Sequence, residues 1–138
     1  MTIKFINEKH KTFFDEKVKE YRIENDRYRL AAIYVLGLSE NCRKNFSDCY
    51  DGRYCDKKAI TKEWVTHADA KVIRFAFGLY GARIYTAYLY NDYESKYWEA
   101  EKYNPAYLFD CQYATYFFEA IKILHWYYFD NEDSENEV

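Results

Sequence analysis

Asp26-Arg-Tyr-Arg-Leu-Ala-Ala-Ile-Tyr-Val-Leu-Gly-Leu38 decides how the rest of the chain is read. Asp26 is a residue type that caps helix N-termini. After it Tyr28, Leu30, Ala31, Ile33, Tyr34, Val35 and Leu38 wrap more than one face of a helix. A helix apolar on several faces is stable only when other elements surround it, so this one is predicted to lie centrally. Gly37 costs about 1 kcal/mol relative to Ala inside a helix and is expected to let a neighbouring helix come close.

Helical surroundings are legible on both sides. Asn7 is placed to cap a helix over Glu8 to Tyr21, in which Phe13, Phe14, Val18 and Tyr21 recur at helical intervals. Thr61 or Thr66 is expected to start the next helix: Thr66 stands three before Asp69, an acidic variant of the capping box, and Val72, Phe75, Ala76 and Leu79 make an apolar stripe. Gly78 and Gly81 suit its end. Asn104-Pro105 places a cap before a Pro that lacks only an orphan N–H. From there Tyr107, Leu108, Cys111, Tyr113, Phe117, Ala120, Ile121, Leu124 and Tyr128 are expected to sustain one core helix, with room for a bend. Residues 46–60 have no helical period and are rich in turn formers, which predicts an irregular loop containing cysteines. Residues 83–103 fit a helix or a short strand pair at 83–98.

The fold class expected is mainly α: a single-domain bundle of about four to six helices over 1–129, with a disordered acidic tail at 130–138. Such a chain, 138 residues long, buries roughly two thirds of its extended surface. Much of the core must be rings, because 17 Tyr, 10 Phe and 3 Trp are present. Tyr and Trp also suit positions half inside and half wet, including protein interfaces.

Twenty Lys and Arg face 23 Asp and Glu, a formal net charge of −3, which argues against a phosphate-binding surface and so against direct nucleic-acid binding. Acidic groups concentrate at Asp130, Glu132, Asp133, Glu135 and Glu137, with no base after Lys122. Charges interrupt the N-terminus before a signal-peptide stretch forms, and the longest weakly charged run, 30–39, is far short of the roughly 20 residues that span a membrane. A cytoplasmic chain with reduced thiols is expected.

Familiar catalytic motifs such as G-x-S-x-G, the P-loop and H-E-x-x-H do not occur. Cys42, Cys49 and Cys55 are three thiols within fourteen residues. With His67, or alternatively Cys111 or His10, they supply the four S or N donors of a structural zinc site; their spacing is wider than the usual knuckle, and ordinary packed thiols remain the other reading. Candidate partner-binding residues are Tyr50, Tyr54, Tyr90, Tyr93, Tyr97 and Trp98, with Glu94, Glu99 and Glu101 beside them. A small enzyme acting on a nucleotide or signalling molecule, with His67 or Glu119 as acid or base, and a bacterial housekeeping role are the rival readings.

Three stretches carry a resemblance: Tyr28 to Gly37 with Arg43-Lys-Asn-Phe46; Lys71-Val-Ile-Arg-Phe-Ala-Phe-Gly-Leu-Tyr80; and Tyr103-Asn-Pro-Ala-Tyr-Leu-Phe109 running into Tyr113-Ala-Thr-Tyr-Phe-Phe-Glu-Ala-Ile-Lys-Ile123. They resemble a family of small proteins without assigned function from Gram-positive bacteria and their phages. That family does not require thiols at Cys49 or Cys55, so a metal site would be a local acquisition, whereas Cys111 stands where relatives carry Cys. Small, acidic, aromatic-rich phage proteins look like antagonists of host defence, including inhibitors of the Cas9 nuclease that act by stoichiometric binding. The function expected from that likeness is a non-enzymatic protein whose partner is a larger protein, a Cas nuclease being the specific case.

Overall fold

The computed structural model describes residues 2–53, 55–81 and 92–130. Helix α1 spans Glu8–Tyr21, α2 Arg27–Leu36, α3 Glu40–Lys44 and α4 Phe46–Cys49. After a 3-10 turn at Lys57–Thr61 come α5 (His67–Leu79), α6 (Tyr93–Glu101), α7 (Pro105–Leu108), α8 (Ala114–Leu124) and α9 (Trp126–Asp130). Five of these have nine residues or more and form the bundle; the four short ones shape its connections. The fold is mainly α. Among the described residues there is no strand, only one antiparallel bridge between Tyr50 and Cys55.

Helix α2 is the hub. Residues 30–36 are all buried, and α1, α5 and α8 pack around them. Its N-cap Asp26 accepts from the Arg29 N–H, and its C-cap is Gly37. A Cβ on Gly37 would stand 2.8 Å from Phe13 Cδ1 and 2.9 Å from His10 Cδ2, so α1 crosses where only hydrogen fits. The ring cluster under α1 contains Phe5, His10, Phe14 and Tyr34, with centroids 4.6–6.2 Å apart.

Polar side chains join the helices. Thr66 and Asp69 complete the reciprocal capping box of α5. The Asp69 carboxylate also accepts from the Ser39 hydroxyl and from Asn41 Nδ2 at 2.8 Å, tying the start of α5 to the link between α2 and α3. Burial pushes this carboxyl up, yet those bonds outweigh it and hold it below the usual carboxylate range. On the far side of α5, Arg74 meets Glu99 of α6 in a bidentate pair, Nε to Oε2 at 2.8 Å and Nη2 to Oε1 at 2.9 Å. Glu99 is buried, so this ion pair fastens that helix to the body.

Three expectations are corrected. The 46–60 region is not all loop: its first turn is α4, and Ala59 in the 3-10 turn is buried. The core helix expected from Pro105 onward is three helices, broken across 109–113 and again at His125, which leaves helical geometry at φ −114°, ψ 39°. The strand pair gives way to α6 over 93–98, while 82–91 and the 131–138 part of the acidic tail lie outside the described residues.

His10 generates a pH dependence. The Ile6 N–H donates to its Nδ1 at 3.2 Å, so its Nε2 carries the proton and donates to the Tyr34 carbonyl at 2.7 Å. Burial, helped by the Arg43 charge, pushes its pKa down to about 4. Between pH 6.5 and about 4 the unfolded chain therefore binds a proton that the folded chain refuses. Stability from this group is complete above pH 6.5 and falls by up to about 1.4 kcal/mol per pH unit toward 4. Urea midpoints measured across that window should slope downward with acidification, and the slope should be shallower in His10→Gln; equal slopes would refute a buried neutral imidazole. For the ion pair, Glu99→Gln should cost about 3–5 kcal/mol in urea unfolding, because Arg74 is left buried and uncompensated. The double variant Arg74→Met, Glu99→Leu should recover much of that loss, and no recovery would show that the pair does more than balance charge.

Candidate binding surface

Helix α6 sorts the expected partner-binding residues. Asp92 caps it by accepting from the Ser95 N–H at 2.7 Å. While Glu99 is turned inward, its neighbours Tyr97 and Trp98 are exposed, their rings meeting edge to face at 5.4 Å, and Trp98 is 57% exposed. Glu94 and Glu101 are exposed beside them. Tyr93 belongs to the same helix, whereas Tyr54 and Tyr90 lie outside the described residues.

Two of the expected contact residues are inside. Glu99, 1% exposed, is consumed by Arg74. Tyr50, 3% exposed, packs among Tyr21, Phe46 and Tyr80, rings that three different segments bring together. Its hydroxyl is buried without a hydrogen-bond partner among the described residues, and burial raises its pKa to about 12. Neither residue is available to touch a partner.

Helix α9 adds residues that periodicity assigned elsewhere or passed over. The break at His125 turns the chain off the core, so Trp126, Tyr127, Tyr128 and Phe129 are all exposed, Tyr128 at 76%. Tyr128 is therefore not part of the core stripe. The signal was present: four consecutive aromatics step about 100° apart on a helix, and no single buried face accepts them all. The Arg27 guanidinium lies 4.8 Å from the Trp126 ring centroid, holding α9 against the start of α2.

The thiols lie on different short elements. Cys42 and Cys49 are buried on α3 and α4, Cys55 is buried at the bridge to Tyr50, and Cys111 is half-buried with its thiol toward the Leu108 carbonyl at 3.5 Å. A hydrogen bond to Cys49 and then burial raise the Cys42 thiol, and burial pushes the Cys55 thiol up to about 12. His67 is exposed at the start of α5 with its ring 6.2 Å from Tyr107, and His10 spends both nitrogens on backbone groups. Among the described residues no three His, Cys, Asp or Glu side chains form a group that could hold a metal ion.

Glu119 and Lys71 also have structural employment. Glu119 on α8 accepts from the Lys4 N–H at 2.8 Å, and the Tyr34 hydroxyl donates to the Lys4 carbonyl, so the N-terminal segment is clamped across the core. Lys71 is buried, donates to the Asp110 carbonyl at 2.7 Å and lies 4.5 Å from the Tyr107 ring centroid. The clefts are open depressions. One of about 430 Å³ lies between α1 and α3, with Lys9, Glu16 and Arg43 in its wall; a more apolar one of about 280 Å³ is lined by Phe75, Leu79, Leu108 and Phe109. No helix among the described residues is long and apolar enough to cross a membrane.

No curated protein and no solved structure matches the chain. One family model matches residues 1–137, nearly the whole length. Its single span agrees with the one hydrophobic core to which α1, α2, α5 and α8 all contribute. The chain belongs to the family of unknown function DUF6075.

Proposed function

We propose that the chain is a non-enzymatic binding protein that acts by stoichiometric docking on a larger protein. The observation that carries this reading is the set of large aromatic side chains left in water on α6 and α9, Tyr97, Trp98, Tyr127, Tyr128 and Phe129, in a molecule with a well-filled core elsewhere. Rings in such positions supply affinity at interfaces, because each buries a large area while losing few rotatable bonds. Acidic residues accompany both sets in the sequence, Glu94 and Glu101 on α6 and Asp130 as the last residue of α9, which suits steering toward a basic partner.

Proteins that handle nucleic acid present such basic surfaces. The specific reading is a phage-type antagonist of host defence in Gram-positive bacteria, an inhibitor of a Cas nuclease working in the host cytoplasm. The resemblance of the apolar motifs supports that narrower step.

Titration of the chain into a cleavage reaction of a guide-loaded Cas9 is expected to give an inhibition endpoint near one equivalent. Tyr97→Ala with Trp98→Ala should raise the concentration needed by tenfold or more, while circular dichroism and Tm stay near the native values. Inhibition sustained at a hundredth of the nuclease concentration would mean turnover and overturn the stoichiometric reading. No inhibition and no association would remove the nuclease as the partner.

A further inference from the structure

A smaller depression, of about 180 Å³, lies where the N-terminal segment meets α8, lined by Lys4, Thr115, Tyr116, Phe118, Glu119 and Lys122. We infer that it binds a small aromatic acid whose ring also carries a hydrogen-bond donor: the ring lies against Phe118, the acid group at the Lys4 and Lys122 ammoniums, and the donor at Glu119. The inference goes beyond the binding-protein reading and does not depend on it.

Helical spacing gathers most of these groups. Thr115, Phe118, Glu119 and Lys122 stand at i, i+3, i+4 and i+7 of α8, which makes them neighbours one turn above another. Lys4 is held beside them because Glu119 Oε2 accepts from its N–H at 2.8 Å and the Tyr34 hydroxyl donates to its carbonyl. Both backbone polar groups of that residue are thus fixed, and only its side chain is left to move. Phe118 is 60% exposed, whereas Ile121 and Leu124 of the same helix are half-buried. Its ring meets that of Phe109 edge to face, centroids 4.9 Å apart, so it is positioned without being covered. A ring placed in this way loses little further freedom when a flat ligand lies against it.

The charges then define the occupant. Neither the Lys4 nor the Lys122 ammonium makes a hydrogen bond or ion pair among the described residues, and two cations against the one carboxylate of Glu119 leave the lining net positive. An acid group on the ligand answers that surplus, and the Thr115 hydroxyl can donate to it as well. Glu119 is 7% exposed and spends Oε2 on the Lys4 N–H, while no described residue donates to its Oε1. A carboxylate so far from bulk water is short of a donor, which a ligand hydroxyl or amine supplies. The volume of about 180 Å³ is below that of sites for drug-sized molecules and restricts the occupant to one ring with its substituents. A bare inorganic anion would use the lysines alone, and an apolar ring would use Phe118 alone.

The test titrates the full-length, isotope-labelled chain with para-hydroxybenzoate and follows amide shifts by NMR. Saturable shifts are expected, confined to the N-terminal segment and α8. Affinity should be about fivefold or more above that for each of three analogues that lack one feature. Benzoate lacks the donor, para-hydroxybenzamide the charge, and the hydroxycyclohexane carboxylate the aromatic face. Lys4→Gln with Lys122→Gln should abolish the preference over the benzamide, and Phe118→Ala the preference over the cyclohexane acid. Tm should stay near the native value in both, because all three side chains are exposed. Glu119→Gln keeps an acceptor for the Lys4 N–H but turns the second oxygen into an amide donor, so the preference over benzoate should vanish whatever happens to stability. Equal affinity for the four probes, shifts scattered over the surface, or no saturation by about 10 mM would overturn the proposal. So would variants that keep all three preferences intact.

Discussion

Helix α2 has no wet side along residues 30–36, and that constraint organises the molecule. A seven-residue stretch buried on every side needs walls all round it, and α1, α5 and α8 supply them. Each wall must then offer apolar groups toward α2 and polar groups away from it, which is the division seen in α1 and α5. Gly37 sets how closely α1 can cross, so the width of a hydrogen atom at one position limits the whole packing on that side.

A hub this apolar offers only the Tyr34 hydroxyl for orienting its neighbours, and the other polar ties lie at its margins. Asp69 gathers hydrogen bonds from Ser39, Asn41 and Thr66. Glu119 and the Tyr34 hydroxyl hold the backbone of Lys4 from both sides, and His10 holds that of Ile6. Arg74 and Glu99 attach α6. Buried groups of this kind contribute little net stability compared with apolar burial, but they penalise misplacement heavily because a wrong register would leave them unpaired. They set the arrangement of helices whose association the rings drive.

Much of the helical layout was legible because caps are local chemistry. Asn7, Asp26, Thr66 and Asn104 each accept the backbone hydrogen bonds that their position before an apolar stretch implied. Helices α3 and α4, five and four residues long, are too short for periodicity to register. The breaks at 109–113 and His125 were hidden because apolar residues continue through them, and a pattern of types cannot report a change of direction. The candidate surface was legible only in part. Tyr97 and Trp98 stand outside as read, but a glutamate reads as solvated until its arginine is found, and Arg74 is twenty-five positions before Glu99. Tyr50 sits in turn-rich sequence, and nothing local announces that rings from α1, α4 and the end of α5 enclose it. The thiol cluster was an inference from spacing alone, whereas metal binding depends on convergence and ionisation, which spacing does not determine.

The burial of Cys42, Cys49 and Cys55 has a practical side. Folded, the chain shelters three of its four thiols from alkylating reagents, and the reluctance of Cys42 and Cys55 to ionise slows attack there further. Each excursion that parts α3, α4 or the Tyr50–Cys55 bridge uncovers a nucleophile that the closed protein hides. Maleimide incorporation at those positions, followed over time by mass, thus becomes a built-in clock for how often this side of the bundle breathes.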